Sequence, residues 1–222
     1  MTATNGFENI TIPTYIINFK ERTEQFAHIK EQFNGKPEFC VQFVEACQHK
    51  NEAIGLWQTM LKIVNIAIAN DDDVIIVCED KHEFTDSYSK DYLLNNIIEA
   101  SDQGAEILSG GVGSFGYSIP LTANRFWINP FQSTQFIVLY KSIFAKMLKY
   151  KFKKTDVTDL VMAGLTSHKM VLYPYISRQK DFSNSVSLPL HNGQQGSVQQ
   201  MFALTEGRLA KMQQAHLKYL RN

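Results

Sequence analysis

The sequence predicts an α/β fold: a single domain with a mostly parallel central sheet flanked by helices, plus a C-terminal helix. Three observations predict it. Segments of strand and helix character alternate along the chain. The run 74–78 (VIIVC) is apolar without interruption, as a strand covered on both faces must be. Between residues 52 and 68, Ile54, Trp57, Leu61, Val64 and Ile68 recur on one helical face.

Taken in order, residues 14–19 (TYIINF) are rich in β-formers and follow Pro13. Residues 21–33 are charged with helical spacing, and 38–45 return to strand character. Asp71, Asp72 and Asp73 stop the helix over 52–68. They precede the VIIVC strand, at the end of the sheet away from ligands, so they read as a solvated loop. Residues 92–100 read as helix, 106–109 and 135–140 (QFIVLY) as strands, 141–150 and 156–167 as a helical pair, and 169–173 as a further strand. After the biased stretch 191–200 (HNGQQGSVQQ), Ser197 and Gln200 form a capping box. The tail helix it opens carries an apolar stripe of Val198, Met201, Leu209, Met212 and Leu220. The expected division is a domain over 1–190, then a linker and amphipathic helix over 191–222. That helix docks on the domain or on a second copy, as in a homodimer.

Composition narrows the function classes. The 222 residues carry 22 basic and 22 acidic side chains, 44% hydrophobic and 20% charged residues, an ordinary globular balance. Zero net charge argues against a nucleic-acid binder, whose affinity rests on counterion release from phosphates. Cys40, Cys47 and Cys78 cannot all pair, and none belongs to a metal-binding pattern. They are expected to be reduced, mostly buried thiols. The opening MTATNGFENI lacks the charged-then-apolar pattern of a signal peptide, and no apolar run approaches the roughly 20 residues that span a bilayer. The expected location is cytoplasmic, with peripheral attachment to the inner face of a membrane left open.

Ligands of open α/β sheets gather beyond the carboxyl ends of the strands. Gly111-Val112-Gly113-Ser114-Phe115-Gly116 spells GxGxxG after a strand, but YSIPLTANRFW follows, with Pro120 and no helical period. A dinucleotide fingerprint must open a helix, so the context refuses that reading. What remains is a loop, either flexible or touching a ligand through Gly111 and Gly113. Cys78-Glu79-Asp80-Lys81-His82-Glu83 is more informative, because it sets two carboxylates directly after the most apolar strand. Adjacent carboxylates there serve a cation, a hydrogen-bond network or the cap of the next helix. Asp156 and Asp159 have the spacing of a helix cap pair. Asp156 is assigned to the cap and Asp159 is held as a candidate base. Trp127, beside Phe126 in a Pro-bounded stretch, has an aromatic face suited to a sugar ring, whereas Trp57 sits on an apolar helix face and reads as core.

The order Ile17-Asn18…Arg22, then Gly55-Leu56-Trp57, then apolar strand–Glu79-Asp80 resembles family 25 glycosyltransferases, the lipopolysaccharide-biosynthesis and collagen-galactosyltransferase-like enzymes. QFIVLYKSIFAKML and Tyr173-Pro174 with Gln179 fit the same order, and the resemblance covers about residues 12–182. It implies a GT-A type fold and inverting transfer from a nucleotide-sugar donor to a saccharide acceptor in surface polysaccharide or glycoconjugate synthesis. It places Asn18 and Arg22 near the nucleotide and Glu79 and Asp80 near the ribose and diphosphate. Asp80 would be the ligand of a divalent cation, Mn or Mg. The sequence departs from the family's Glu-Asp-Asp triplet at Lys81, which puts metal dependence in doubt. Lys81 could itself neutralise the diphosphate, with His82 as a further polar group. The same departure suits a second reading, a non-catalytic protein of this fold that binds a sugar nucleotide or a partner enzyme.

Overall fold

The computed structural model describes residues 7, 9–182 and 197–220. The order is β1 (Ile12–Asn18), α1 (Thr23–Phe33), β2 (Phe39–Glu45), α2 (Glu52–Ala69), β3 (Val74–Glu79), β4 (His82–Phe84), α3 (Lys90–Asp102), β5 (Ile107–Ser109), β6 (Ser114–Pro120) and β7 (Arg125–Gln132). Then follow β8 (Phe136–Tyr140), α4 (Lys141–Lys149), α5 (Thr158–Leu165), β9 (Lys169–Leu172), β10 (Ser177–Gln179) and α6 (Ser197–Leu220). The boundary expected at residue 190, and the polar stretch 191–196 after it, lie outside the described residues.

Eight strands form one sheet in the order β2-β1-β3-β8-β5-β9-β7-β6, and β4 with β10 form a separate antiparallel ribbon. Six of the eight run in one direction; β8 and β7 are reversed. Alternation along the central strands fills a core on each face. Ile75 and Val77 of β3, with Ile137 and Leu139 of β8, face Trp57, Met60 and Ile63 of α2 and Ile143 and Phe144 of α4. Ile76 and Cys78, with Phe136 and Val138, face Ile29 and Phe33 of α1 and Leu93 and Ile97 of α3. This two-sided burial is why both strands are apolar runs in sequence.

Three expectations are corrected here. The stretch after the glycine loop is not irregular: β6 and β7 form a long antiparallel hairpin at the sheet edge. Its Ser, Gly and Pro content hides the strand period. Glu79 and Asp80 do not cap the next helix, because Ser89 does so by accepting from the Tyr92 amide. The thiols are not mostly buried: Cys40 is exposed, Cys47 intermediate and only Cys78 buried.

The tail helix docks on this same chain. Phe202 and Leu209 enter the core, the Thr205 hydroxyl donates to the Val112 carbonyl, and Arg208 donates to the carbonyls of Phe115 and Gly116. Among the described residues, no helix is long and apolar enough to cross a membrane. Leu209 is fully buried, so Leu209→Ala should lower unfolding stability by roughly 2–5 kcal/mol. Chemical denaturation checks this, and an unchanged midpoint would mean that α6 does not hold the domain together.

Candidate functional site

The carboxyl ends of β1 and β3 lie side by side, since these strands pair in parallel with Ile17 opposite Glu79. β8 joins β3 antiparallel with Phe136 opposite Cys78, and the Glu79 amide donates to the Gln135 carbonyl. The residues just before β8 are therefore delivered to the end of β3. There the Thr134 hydroxyl lies 2.8 Å from Glu79 Oε1 and 3.2 Å from Asp159 Oδ1. Asp159, in the first turn of α5, also accepts from the Ser133 amide at 2.7 Å. One hydroxyl carries one hydrogen and can donate to only one of two carboxyl groups. The arrangement is fully satisfied when the other carboxyl holds a proton and donates to Thr134.

The electrostatics favour that state. Desolvation, then the nearby Asp159 charge, raise the Glu79 carboxyl to about 7. Asp159 is raised too by burial, against the hydrogen bonds from Ser133 and Thr134. Asp80 is 2% exposed, and burial raises its carboxyl while Arg22, the leading opposing influence, draws it down. Arg22 Nη1 stands 3.5 Å from both Asp80 oxygens, with its guanidinium stacked 4.0 Å over the Phe19 ring. Among the described residues, the buried Oδ1 of Asn18 at the end of β1 has no hydrogen-bond partner.

Asp80 is taken up by Arg22, and no group of three His, Cys, Asp or Glu side chains among the described residues could hold a metal ion.

The other sequence candidates are distributed differently. Lys81 extends the same edge from the end of β3. His82 is wholly buried: its Nδ1 is 2.8 Å from the Ser177 hydroxyl and its ring packs among Phe33, Phe84 and Phe136. It is a core histidine, enclosed by these rings rather than presented at the edge of the sheet. Gly111 and Gly113 are buried close approaches. A Cβ at Gly111 would lie 2.2 Å from the Ser177 carbonyl, and one at Gly113 would meet Met201 and the Ser133 hydroxyl. They pack the loop against β10 and α6. Trp127 pairs with Met170 near the start of β9 and donates to the Ser167 carbonyl, which puts it at the sheet end opposite Glu79. Asp156 accepts from Tyr150 and from the Lys153 amide in the preceding turn; Val157 occupies the α5 cap position. Asp71 and Asp73 form solvated ion pairs with Lys141 beside a hollow of about 350 Å³ at the far end of the sheet.

Thr134 and Gln135 escaped the sequence reading. Gln135 is fully buried and donates to the Gly111 carbonyl and the Ser177 hydroxyl, tying the glycine loop and β10 beneath the site. The one signal was a polar Ser133-Thr134-Gln135 triplet directly ahead of a buried strand.

No protein-family model matches the chain, and no curated protein does. Among solved structures, protein A197 from STIV superposes with a TM-score of 0.51 at 11% identity, over 78% of this chain and 87% of that one. The two chains share a fold. Apo UDP-glucose pyrophosphorylase gives a TM-score of 0.44 at 13% identity, over 89% of this chain and 82% of that one. A complex of UDP-glucose pyrophosphorylase with UDP-glucose gives 0.45 at 10%, over 90% and 81%. These two overlaps are too loose to support a conclusion.

Because the Glu79 carboxyl is raised from 4.5 to about 7, the folded protein holds this proton more tightly than the unfolded chain does. The stabilisation is complete below about pH 4.5 and is lost as pH rises through about 7. Glu79→Gln should flatten that fall and exceed the wild type at pH 8 by roughly 1–3 kcal/mol in denaturant unfolding. A variant losing stability with pH as steeply as the wild type would exclude Glu79 as the group responsible.

Proposed function

We propose that the chain is a glycosyltransferase that moves a sugar from a nucleotide-sugar donor to a hydroxyl of a saccharide-type acceptor, with inversion. The observation that carries this reading is the pair of carboxyl groups, Glu79 and Asp159, joined through Thr134 beside the Arg22–Asp80 pair at the carboxyl edge of the sheet. Sugar transfer needs a base for the acceptor hydroxyl and cationic groups for the departing diphosphate. In the proposed step the acceptor oxygen loses its proton to Asp159 and bonds to the anomeric carbon. The bond from that carbon to the diphosphate oxygen breaks, and the diphosphate leaves with the electron pair. Below about pH 7 Glu79 holds the proton of the pair, which leaves Asp159 as the ionised member. Asn18 and Arg22 flank the nucleotide, and Lys81 faces the diphosphate. No step is routed through a metal.

Lys81 in place of an acidic residue, together with Arg22 occupying Asp80, favours one alternative: a protein of the same fold that binds a sugar nucleotide without turning it over. Calorimetry with a panel of nucleotide-sugars, with and without Mn²⁺, tests the shared premise, and binding of none of them overturns both readings. Transfer or hydrolysis of the bound donor separates them. Asp159→Asn should keep donor affinity and lose roughly 10²–10⁴ in transfer rate, the range for a removed general base. Equal rates would take Asp159 out of the reaction.

A further inference from the structure

The ribbon of β4 and β10 brings a residue to the site that lies about a hundred positions from Lys81 in sequence. Ser177 pairs with Phe84 and Gln179 with His82, and the next step of the ladder is the Lys180 amide donating to the Lys81 carbonyl at 2.8 Å. Two lysines thus stand directly opposite each other at the end of the ribbon, next to Asp80. Like charges opposed across an antiparallel pair are destabilising. Neither lysine has a carboxylate in an ion pair among the described residues: Asp80 pairs with Arg22 and Glu83 with Arg178, and Lys81 acts on Glu79 and Asp80 only through space.

Lys180 is also held in place. His28 Nε2 is 2.9 Å from the His82 carbonyl, which can only accept, so that nitrogen carries the hydrogen. The neutral ring then presents a lone pair at Nδ1, and Lys180 Nζ lies 3.4 Å from it. Burial and the Lys180 charge both lower the His28 pKa, which keeps the acceptor form. Lys180 also lies over the Phe182 ring at 5.3 Å. A positioned ammonium group with a neutral acceptor, opposite a second lysine whose neighbour Asp80 pairs with Arg22, is a site for a multiply charged anion.

We infer that Lys180, positioned by His28, joins Lys81 and Arg22 in a metal-free subsite for the diphosphate of a nucleotide. The inference rests on the reading under Proposed function and names side chains of this chain that neutralise the leaving diphosphate. The Nζ of each lysine makes a point contact to phosphate oxygens, and the guanidinium adds a fork.

Calorimetry on the full chain in EDTA tests it, with UDP, GDP, CDP and ADP, their parent nucleosides, and inorganic pyrophosphate as probes. One nucleoside diphosphate should bind without metal. Lys180→Gln should weaken it about tenfold, as loss of a charge-assisted contact does, while leaving nucleoside affinity unchanged. Lys180→Arg should restore most of the loss. Unchanged diphosphate affinity in Lys180→Gln overturns the inference, as does an equal loss for nucleoside and diphosphate. If pyrophosphate binds in a Lys180-dependent way and no nucleotide does, the anion site stands and the nucleotide-sugar reading fails. Absence of binding by every probe overturns both.

Discussion

The register between β3 and β8 is the constraint on which the site depends. β8 enters the sheet antiparallel between β3 and β5, so the residues that precede it arrive at the carboxyl end of β3. A parallel strand in that place would begin at the opposite edge. With Phe136 opposite Cys78, Gln135 receives the Glu79 amide and Thr134 reaches the Glu79 carboxyl. A slip of one residue would turn every side chain of β8 to the other face, exchanging two cores that are each filled. Packing along the whole strand therefore positions a single hydroxyl at its end.

That positioning gives the three carboxyl groups different partners. Asp80 is compensated by a guanidinium, whereas Glu79 and Asp159 share the one hydrogen of Thr134 and have no cation in direct contact among the described residues. A desolvated carboxylate without a compensating charge is costly, and taking up a proton relieves it. The same edge gathers Arg22, Lys81 and Lys180. The zero net charge of the chain thus conceals a local separation of charge, with carboxyl groups on the sheet and ammonium groups on the ribbon above it.

Elements whose residues are covered on both faces were legible in sequence. β3, β8 and α2 are long apolar patterns, and their period alone identifies them. The β6–β7 hairpin was not legible: Phe126, Ile128 and Phe131 are buried, while Ser118, Pro120 and Pro130 interrupt the alternation. β4 and β10 are three residues each and acquire strand geometry only by pairing with one another. Trp127 looked available because its stretch looked irregular, yet strand pairing commits it to the distant end of the sheet. His82 looked like part of the polar edge, yet the turn at Asp80 and Lys81 carries it into an aromatic core.

The sequence by itself determined the α/β class, the order of most elements and the placing of Glu79 and Asp80 at the end of the central strand. Those follow from local period and from the rule that ligands meet a sheet at its carboxyl edge. It also singled out Asp159, without showing what Asp159 touches. Only the tertiary structure decided that Thr134 joins Asp159 to Glu79, that Arg22 takes Asp80, and that Lys180 stands opposite Lys81. Each of these contacts joins residues 25 to 99 positions apart, and such pairs are set by strand register and by the packing of helices on the sheet, which no local pattern encodes.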